Sequence, residues 1–247
     1  VQAAEGGVIL NRYVSENSVV SEGDILFELD PVDASSELNR VRQRLAALDI
    51  RELRLRAEIE NQDLNLPSEL SERSPMVALS EQSLFAARRA ELAGEISVLD
   101  QQSRQRQQDL RSAQSRMQTA ERTSAFLEEE IAVVEPLVAE GLAPATRLLE
   151  LRRQLERSRG ERSQAQSAAE QATAGITEVE AQTNNTRANY RLRALDELNS
   201  VVAERSELME TVPRLEERVT RTTVRAPMSG IVSRLNYRTV GGFINTG

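Results

Sequence analysis

The chain has 247 residues and a formal net charge of −8, with 28% charged residues, only 3% aromatics and no Trp. That usage belongs to long helices and coiled coils rather than to a thick globular core, which large rigid side chains would have to fill. Cys and His are both absent, which excludes disulfides, thiolate chemistry and the usual zinc sites and removes the commonest general base.

All 31 basic side chains are Arg, interleaved with Glu, so the charges read as solvated helix faces. An acidic chain of this kind lacks the basic footprint of a nucleic-acid binder. Missing cysteines are compatible with an oxidising compartment. No signal peptide is visible, and no apolar run of about 18 residues could span a bilayer. The chain starts at Val1 and stops in "GGFINTG", inside a strand-like pattern, so it is expected to be a piece of a longer protein.

Val8 to Leu29 reads as short strands: "VIL" and "ILFEL" are β-branched and apolar, and "SEGD" is a turn signal. Asp30-Pro31 closes this segment. A first helix is expected over about 35–62, capped by Asp33, Ser35 or Ser36. Leu38, Val41, Leu45, Leu48, Leu55 and Ile59 form its heptad seam, interrupted at Glu52. A helix break follows over 63–75, bracketed by Pro67 and Pro75.

A second helix is expected over 76–138, roughly 90 Å at 1.5 Å per residue. Its seam runs with strict 3-4 spacing from Phe85 through Leu99, Ala113, Ala120 and Leu127 to Val138. Residues 139–146, "AEGLAPAT", form a reversal in which Gly141 supplies a left-handed cap and Pro144 suits a first helical turn. A break this short joins antiparallel helices.

The third helix is expected over 144–220, about 110 Å long and kinked at Pro213. Its seam runs from Leu148 to Thr186 and slips in phase near Tyr190. It resumes on Leu195, Leu198, Val202, Arg205, Met209 and Val212, and slips once more before Leu215. Ala, Ser and Thr fill the middle, where little apolar area is buried. The hairpin flanks are therefore expected to pack against other copies of the chain. Arg89, Arg106, Arg162 and Arg205 interrupt the seams, either snorkelling into solvent or pairing with carboxylates. No catalytic constellation is visible, so an enzyme is not expected.

A hairpin brings Asp30 and Thr222 together, so the β-like pieces at the two ends are expected to form one small β-sandwich; neither buries a core alone. "VRAPMSGIVSRL" and "GGVILNRYVSENSVVSEGDILFELD" align Gly7 with Gly230 and bring Gly23 within a residue of Gly247. These stretches resemble the two halves of the lipoyl-like domain of periplasmic adaptor proteins, also called membrane fusion proteins. Gly7, Gly23, Asp24, Pro227 and Gly230 carry that signature. "LPSELSE" and "LSEQSLFAARRAEL" further resemble the HlyD-like adaptors of type I secretion systems.

The resemblance implies a mainly α fold with a small β module: a long antiparallel coiled-coil hairpin (32–221) inserted between two halves (1–31 and 222–247) of a lipoyl-like β-sandwich. Lipoyl and biotinyl carriers hold their cofactor on a Lys. This chain has none, so no cofactor is expected and the module is structural.

The resemblance also implies a place in the periplasm, with the parent protein anchored in the inner membrane, as an adaptor for protein export. Its partners would be an inner-membrane ABC transporter, a TolC-like outer-membrane channel and other copies of itself, as a hexameric ring. The docking tip is expected at Leu137, Gly141, Leu142, Ala143, Pro144, Thr146, Arg147 and Leu148. Leu142 stands outside both heptad tracks, and Arg147 is placed to hydrogen-bond carbonyls at a partner's helix ends. Efflux-type adaptors carry an Arg-Leu-Ser pattern at this tip. Leu137 matches the Leu, but Val133 and Pro144 stand where the Arg and Ser would be. A multidrug efflux adaptor of the same fold is one alternative. A cytoplasmic coiled-coil scaffold is another; it predicts a dimer and no closure of the β-sandwich.

Overall fold

A computed structural model describes residues 5–235 and 239–244; Gly247, aligned above with Gly23, lies outside them. Three strands, β1 (Gly7–Arg12), β2 (Val19–Val20) and β3 (Ile25–Leu29), precede four helices. The helices are α1 (Val32–Glu60), α2 (Ser68–Arg73), α3 (Pro75–Ala139) and α4 (Ala145–Arg221). Strands β4 (Thr223–Arg225), β5 (Gly230–Ile231) and β6 (Phe243–Ile244) follow. The chain divides into two compact units, residues 1–86 with 193–247, and residues 87–192; α3 and α4 each run through both. No helix among the described residues is long and apolar enough to cross a membrane.

In the first unit the two chain ends interleave, as their sequences predict. One sheet has the order β4-β3-β1-β6, and β2 pairs with β5 in a second. Every strand from the C-terminal end thus has an antiparallel partner from the N-terminal end. Ile9, Leu29 and Ile244 pack with Phe27 and Val224 into one small core. Val14, Leu26 and Ala226 centre a second, with Val20, Val232 and Leu235.

Helix α1 begins three residues earlier than expected, and Asp33, Ser35 and Ser36 lie inside it. Pro31 occupies the cap position, and the Asp30 carboxylate accepts the Val32 N–H at 2.9 Å. Proline's fixed φ and a nearby acceptor start the helix without the expected caps. It ends at left-handed Asn61 (φ 55°), whose N–H donates to the Ala57 carbonyl. The expected break holds a further short helix, α2, which starts directly after Pro67.

Leu48 and Leu55 of α1 pack on Ala194 and Val201 of α4, with Ile59, Leu198 and Leu208 around them. This corrects the expected phase of α4: Leu195, Val202 and Met209 are exposed. Three four-residue steps in succession, Thr186 to Tyr190 to Ala194 to Leu198, advance the seam by one residue. Regular spacing then continues through Leu198, Val201, Arg205, Leu208, Val212 and Leu215 to Val219 without a second slip.

A second face of α1 is also covered, and it is charged. Arg54 is 0% exposed and Glu58 is 3% exposed. The Arg54 guanidinium donates to Glu58 one turn on, to Glu81 of α3 at 2.5 Å and to Glu197 of α4 at 3.2 Å. Burial alone would depress its pKa; the hydrogen bonds and charges of Glu58 and Glu81 outweigh burial and raise it. Arg205 donates to Asp49 of α1 at 2.6 Å, and that hydrogen bond raises its pKa.

In the second unit α3 and α4 run antiparallel. Leu99, Ala113, Ala120 and Leu127 are buried on one helix, and Leu151, Leu155, Ala165, Ala172 and Val179 on the other. The polar interruption at Ser124 is satisfied: its hydroxyl donates to Ser158 at 3.0 Å, and Ser158 donates to the Ala120 carbonyl at 2.9 Å. Arg106 crosses the seam against Gly175, where an added Cβ would lie 3.2 Å from the arginine side chain. Arg162 stands 3.6 Å from Glu121.

Gly94 and Gly160 have open space where a Cβ would project. Gly94→Ala and Gly160→Ala are each expected to raise the unfolding free energy by about 0.5–1 kcal/mol, since alanine loses less backbone entropy in a helix. Urea titration followed by circular dichroism measures this; an unchanged midpoint in both variants contradicts it.

Candidate docking site at the hairpin turn

Helix α3 ends where Gly141 takes a φ of 75°, a conformation that costs glycine little. The Gly141 N–H donates to the Val138 carbonyl at 3.1 Å, and the Leu142 N–H reaches back to Leu137 at 2.8 Å. This paired pattern is a Schellman cap; it satisfies the last carbonyls of α3 and sets Leu142 beside Leu137. Pro144 stands one residue before α4, and its carbonyl accepts the Arg147 N–H at 3.1 Å. The turn is thus a hydrogen-bonded element rather than a loose loop.

The eight tip residues expected from sequence do not all face solvent. Leu142 is 72% exposed, and Leu137 is also exposed. Leu148 and Ala143 are half-buried, whereas Gly141, Pro144, Thr146 and Arg147 are exposed. The exposed Arg147 pairs with Glu130 of α3 at 2.5 Å. The neighbouring rungs are Arg152–Glu135 at 2.5 Å and Arg159–Glu128 at 2.9 Å. Hydrogen bonds to Glu128 and then Glu156 raise the Arg159 pKa. The ladder matches charges across the two helices, giving Arg147, Arg152 and Arg159 each a carboxylate partner within the chain. The sequence could not show this, because pairing partners 17 to 31 residues apart depend on the register of the hairpin.

Three exposed apolar side chains near the turn, Phe126, Val133 and Leu149, were not among the expected residues. Phe126 is 66% exposed and Val133 is 65% exposed. Phe126 and Val133 stand off the hairpin seam, and their seven-residue separation is the signal that would have found them.

The five residues of the β-module signature belong to the other unit and cluster where the chain ends meet. Gly7 pairs with Ile244 and Gly230 with Val20. Gly23 (φ 89°) donates its N–H to the Ala226 carbonyl at 2.9 Å, and the Ala226 N–H donates to the Asp24 carbonyl at 2.8 Å. The Asp24 carboxylate holds the Ser21 N–H at 2.7 Å, and Pro227 lies in an exposed bend. Among the described residues no group of three or more carboxylates is arranged to hold a metal ion.

Comparison with known proteins places these features in a family context. The model of the family described as "AprE, long alpha-helical hairpin" matches residues 34–218. Over the whole chain, 29% of residues are identical to the type I secretion system membrane fusion protein PrsE of Rhizobium meliloti, covering 58% of that protein. Identity is 26% to the alkaline protease secretion protein AprE of Pseudomonas aeruginosa, covering 59% of it. The chain thus spans less than two thirds of the length of these curated relatives. Among solved structures, the soluble domain of LipC, a membrane fusion protein of a type I secretion system, superposes with a TM-score of 0.91 at 23% identity, covering 99% of this chain and 94% of LipC. The periplasmic adaptor protein EmrA gives 0.61 at 16% identity, covering all of this chain and 68% of EmrA. These likenesses establish the fold: a long helical hairpin on a small antiparallel strand module.

Proposed function

Because the chain belongs to the AprE long alpha-helical hairpin family, we propose that it is the hairpin-bearing part of a periplasmic adaptor for type I protein secretion. The adaptor links an inner-membrane ABC transporter to a TolC-like outer-membrane channel, so that cargo crosses both membranes in one step. In this reading the parent protein is anchored in the inner membrane, its copies assemble into a ring, and the chain acts as a conduit rather than as an enzyme. The β module serves as a structural lipoyl-like base, with no Lys available to carry a cofactor.

The observation that carries the docking role is Leu142: a large apolar side chain, mostly in water, on a turn whose backbone is fixed by its own hydrogen bonds. Exposed apolar side chains on a rigid support are what a partner's groove requires. Gly141, Ala143, Pro144 and Thr146 shape the turn, Leu148 anchors it, and Leu137 stands beside Leu142.

These 247 residues contain no Cys, so a Cys placed at Leu142 in the full-length protein gives a single addressable thiol within this chain. With a benzophenone maleimide reagent in cells, the expected adduct is with the outer-membrane channel of the same export system. Adducts only with itself, or with cytoplasmic proteins, overturn tip docking.

A further inference from the structure

The seam of the second unit is not equally closed along its length. Between Ala113 and the turn, side chains tie the two helices together: Ser124 to Ser158, Arg162 to Glu121 and Arg159 to Glu128. Farther from the turn Leu99 and Val179 are buried, but no residue from 100 to 112 of α3 or from 180 to 192 of α4 is. Ile96, Ser103, Thr183 and Thr186, seam positions all, are only half-buried.

Between the helices at this level lies a groove of about 310 Å³, walled by Leu99 and Ser103 on one side and by Val179, Thr183 and Arg187 on the other. It has room for several water molecules, and its walls offer them hydroxyl and charged groups. Among the described residues no hydrogen bond or ion pair joins 96–103 to 179–187. The Thr183 hydroxyl donates to the Val179 carbonyl of its own helix at 2.9 Å, and Asp100 pairs with Arg104 of its own helix at 2.7 Å.

Two features of the sequence make this gap. Ser103 and Thr183 put short polar side chains where a seam is normally apolar. In addition, α3 holds 3-4 spacing from Leu92 to Arg106, whereas α4 starts its three four-residue steps at Thr186. Helices whose seams keep different periods do not stay face to face through such a stretch. A hydroxyl bonded to the preceding turn, as at Thr183, also favours bending of the helix.

We propose that this groove is a joint at which α3 and α4 separate and bend as the hairpin works, while the seam between it and the turn stays closed. Opening costs little there: little apolar area is buried, no cross-helix bond is broken, and water already fits between the helices. The joint goes beyond the adaptor role, because it concerns movement within the hairpin and needs no partner. In an adaptor it lets the turn shift sideways without unfolding either helix.

Amide hydrogen exchange of the purified protein tests this. Amides of 96–106 and 179–190 are expected to exchange on the order of 100-fold faster than those of 116–127 and 151–162, because a helix released from its partner frays in water. The double variant Ser103→Leu, Thr183→Leu fills the groove, and exchange in the first two stretches is expected to slow about tenfold or more. In the full-length protein it is expected to keep wild-type circular dichroism while lowering export about threefold or more, because the closed form is favoured. Equal protection of the two pairs of stretches in the wild type overturns the joint. So does a filled variant that exchanges as fast as wild type, or one that exchanges slowly yet exports at the wild-type level. The exchange measurements involve no channel or transporter, so they report on the joint even where the Leu142 adducts overturn tip docking.

Discussion

Replacing Arg54 with Met is expected to lower the stability of the first unit by about 3–5 kcal/mol, the usual cost of removing one partner from a buried ionic group. Arg54 is wholly buried and holds carboxylates from three helices: Glu58 of α1, Glu81 of α3 and Glu197 of α4. Without it, Glu58 and Glu81 lose the guanidinium that they share. Methionine fills much of the volume, so packing loss is the smaller effect. The loss should fall on α1, whose second face is anchored there. Hydrogen exchange is expected to accelerate across residues 46–60 before it changes in 110–160. The triple variant Arg54→Met, Glu58→Leu, Glu81→Leu removes the stranded charges together and is expected to recover most of the stability. A single variant as stable as wild type, or a triple variant as unstable as the single, would show that the cluster does not hold α1.

The second large effect is at Ile9. Ile9→Ala is expected to cost about 2–5 kcal/mol, the range for truncating a large buried aliphatic side chain. Among the described residues Ile9 meets Leu29 and Ile244 in a core of three buried residues, two from the first end of the chain and one from the last. Only Phe27 and Val224, both partly exposed, flank this core among the described residues, so little can redistribute the loss. The backbone bonds of Ile9 to Gly241 and Gly242 remain possible, but the apolar reason for β6 to lie on β1 is gone. Amide exchange in β4 and β6 should rise to near solvent-limited rates while the helical signal persists. Leu10→Ala, one residue on and exposed, is the control and is expected to change stability by less than about 0.5 kcal/mol. Equal effects at the two positions would mean that the module is not closed by this core.

How the sequence and the structure divide the account can be followed along the chain. Strict 3-4 spacing from Phe85 to Val138 left a helix as the reading for that stretch, and the short reversal over 139–146 left antiparallel packing. Gly141 was legible because a short turn after a long helix requires a left-handed residue there. The pairing of the two chain ends followed from the hairpin, since a reversal returns Thr222 to Asp30. Local periodicity and turn chemistry carry such features, and both are properties of neighbouring residues.

What the sequence left open involves partners distant along the chain. The spacing beyond Tyr190 put Leu195, Val202 and Met209 on the seam of α4; packing on α1 put Ala194, Val201 and Leu208 there instead. Arg54 looks like any charged position on a solvated face, and its burial exists only because α3 and α4 bring Glu81 and Glu197 to it. Arg147 looked available for a partner until the hairpin register set Glu130 against it. Phe126 and Val133 read as ordinary positions off the seam until the folded hairpin left them uncovered. Spacing along the chain decided which segments are helices and where they turn. Burial and charge pairing were decided only when helices and strands packed together, because the energy of a buried group depends on which atoms surround it and not on its neighbours in sequence.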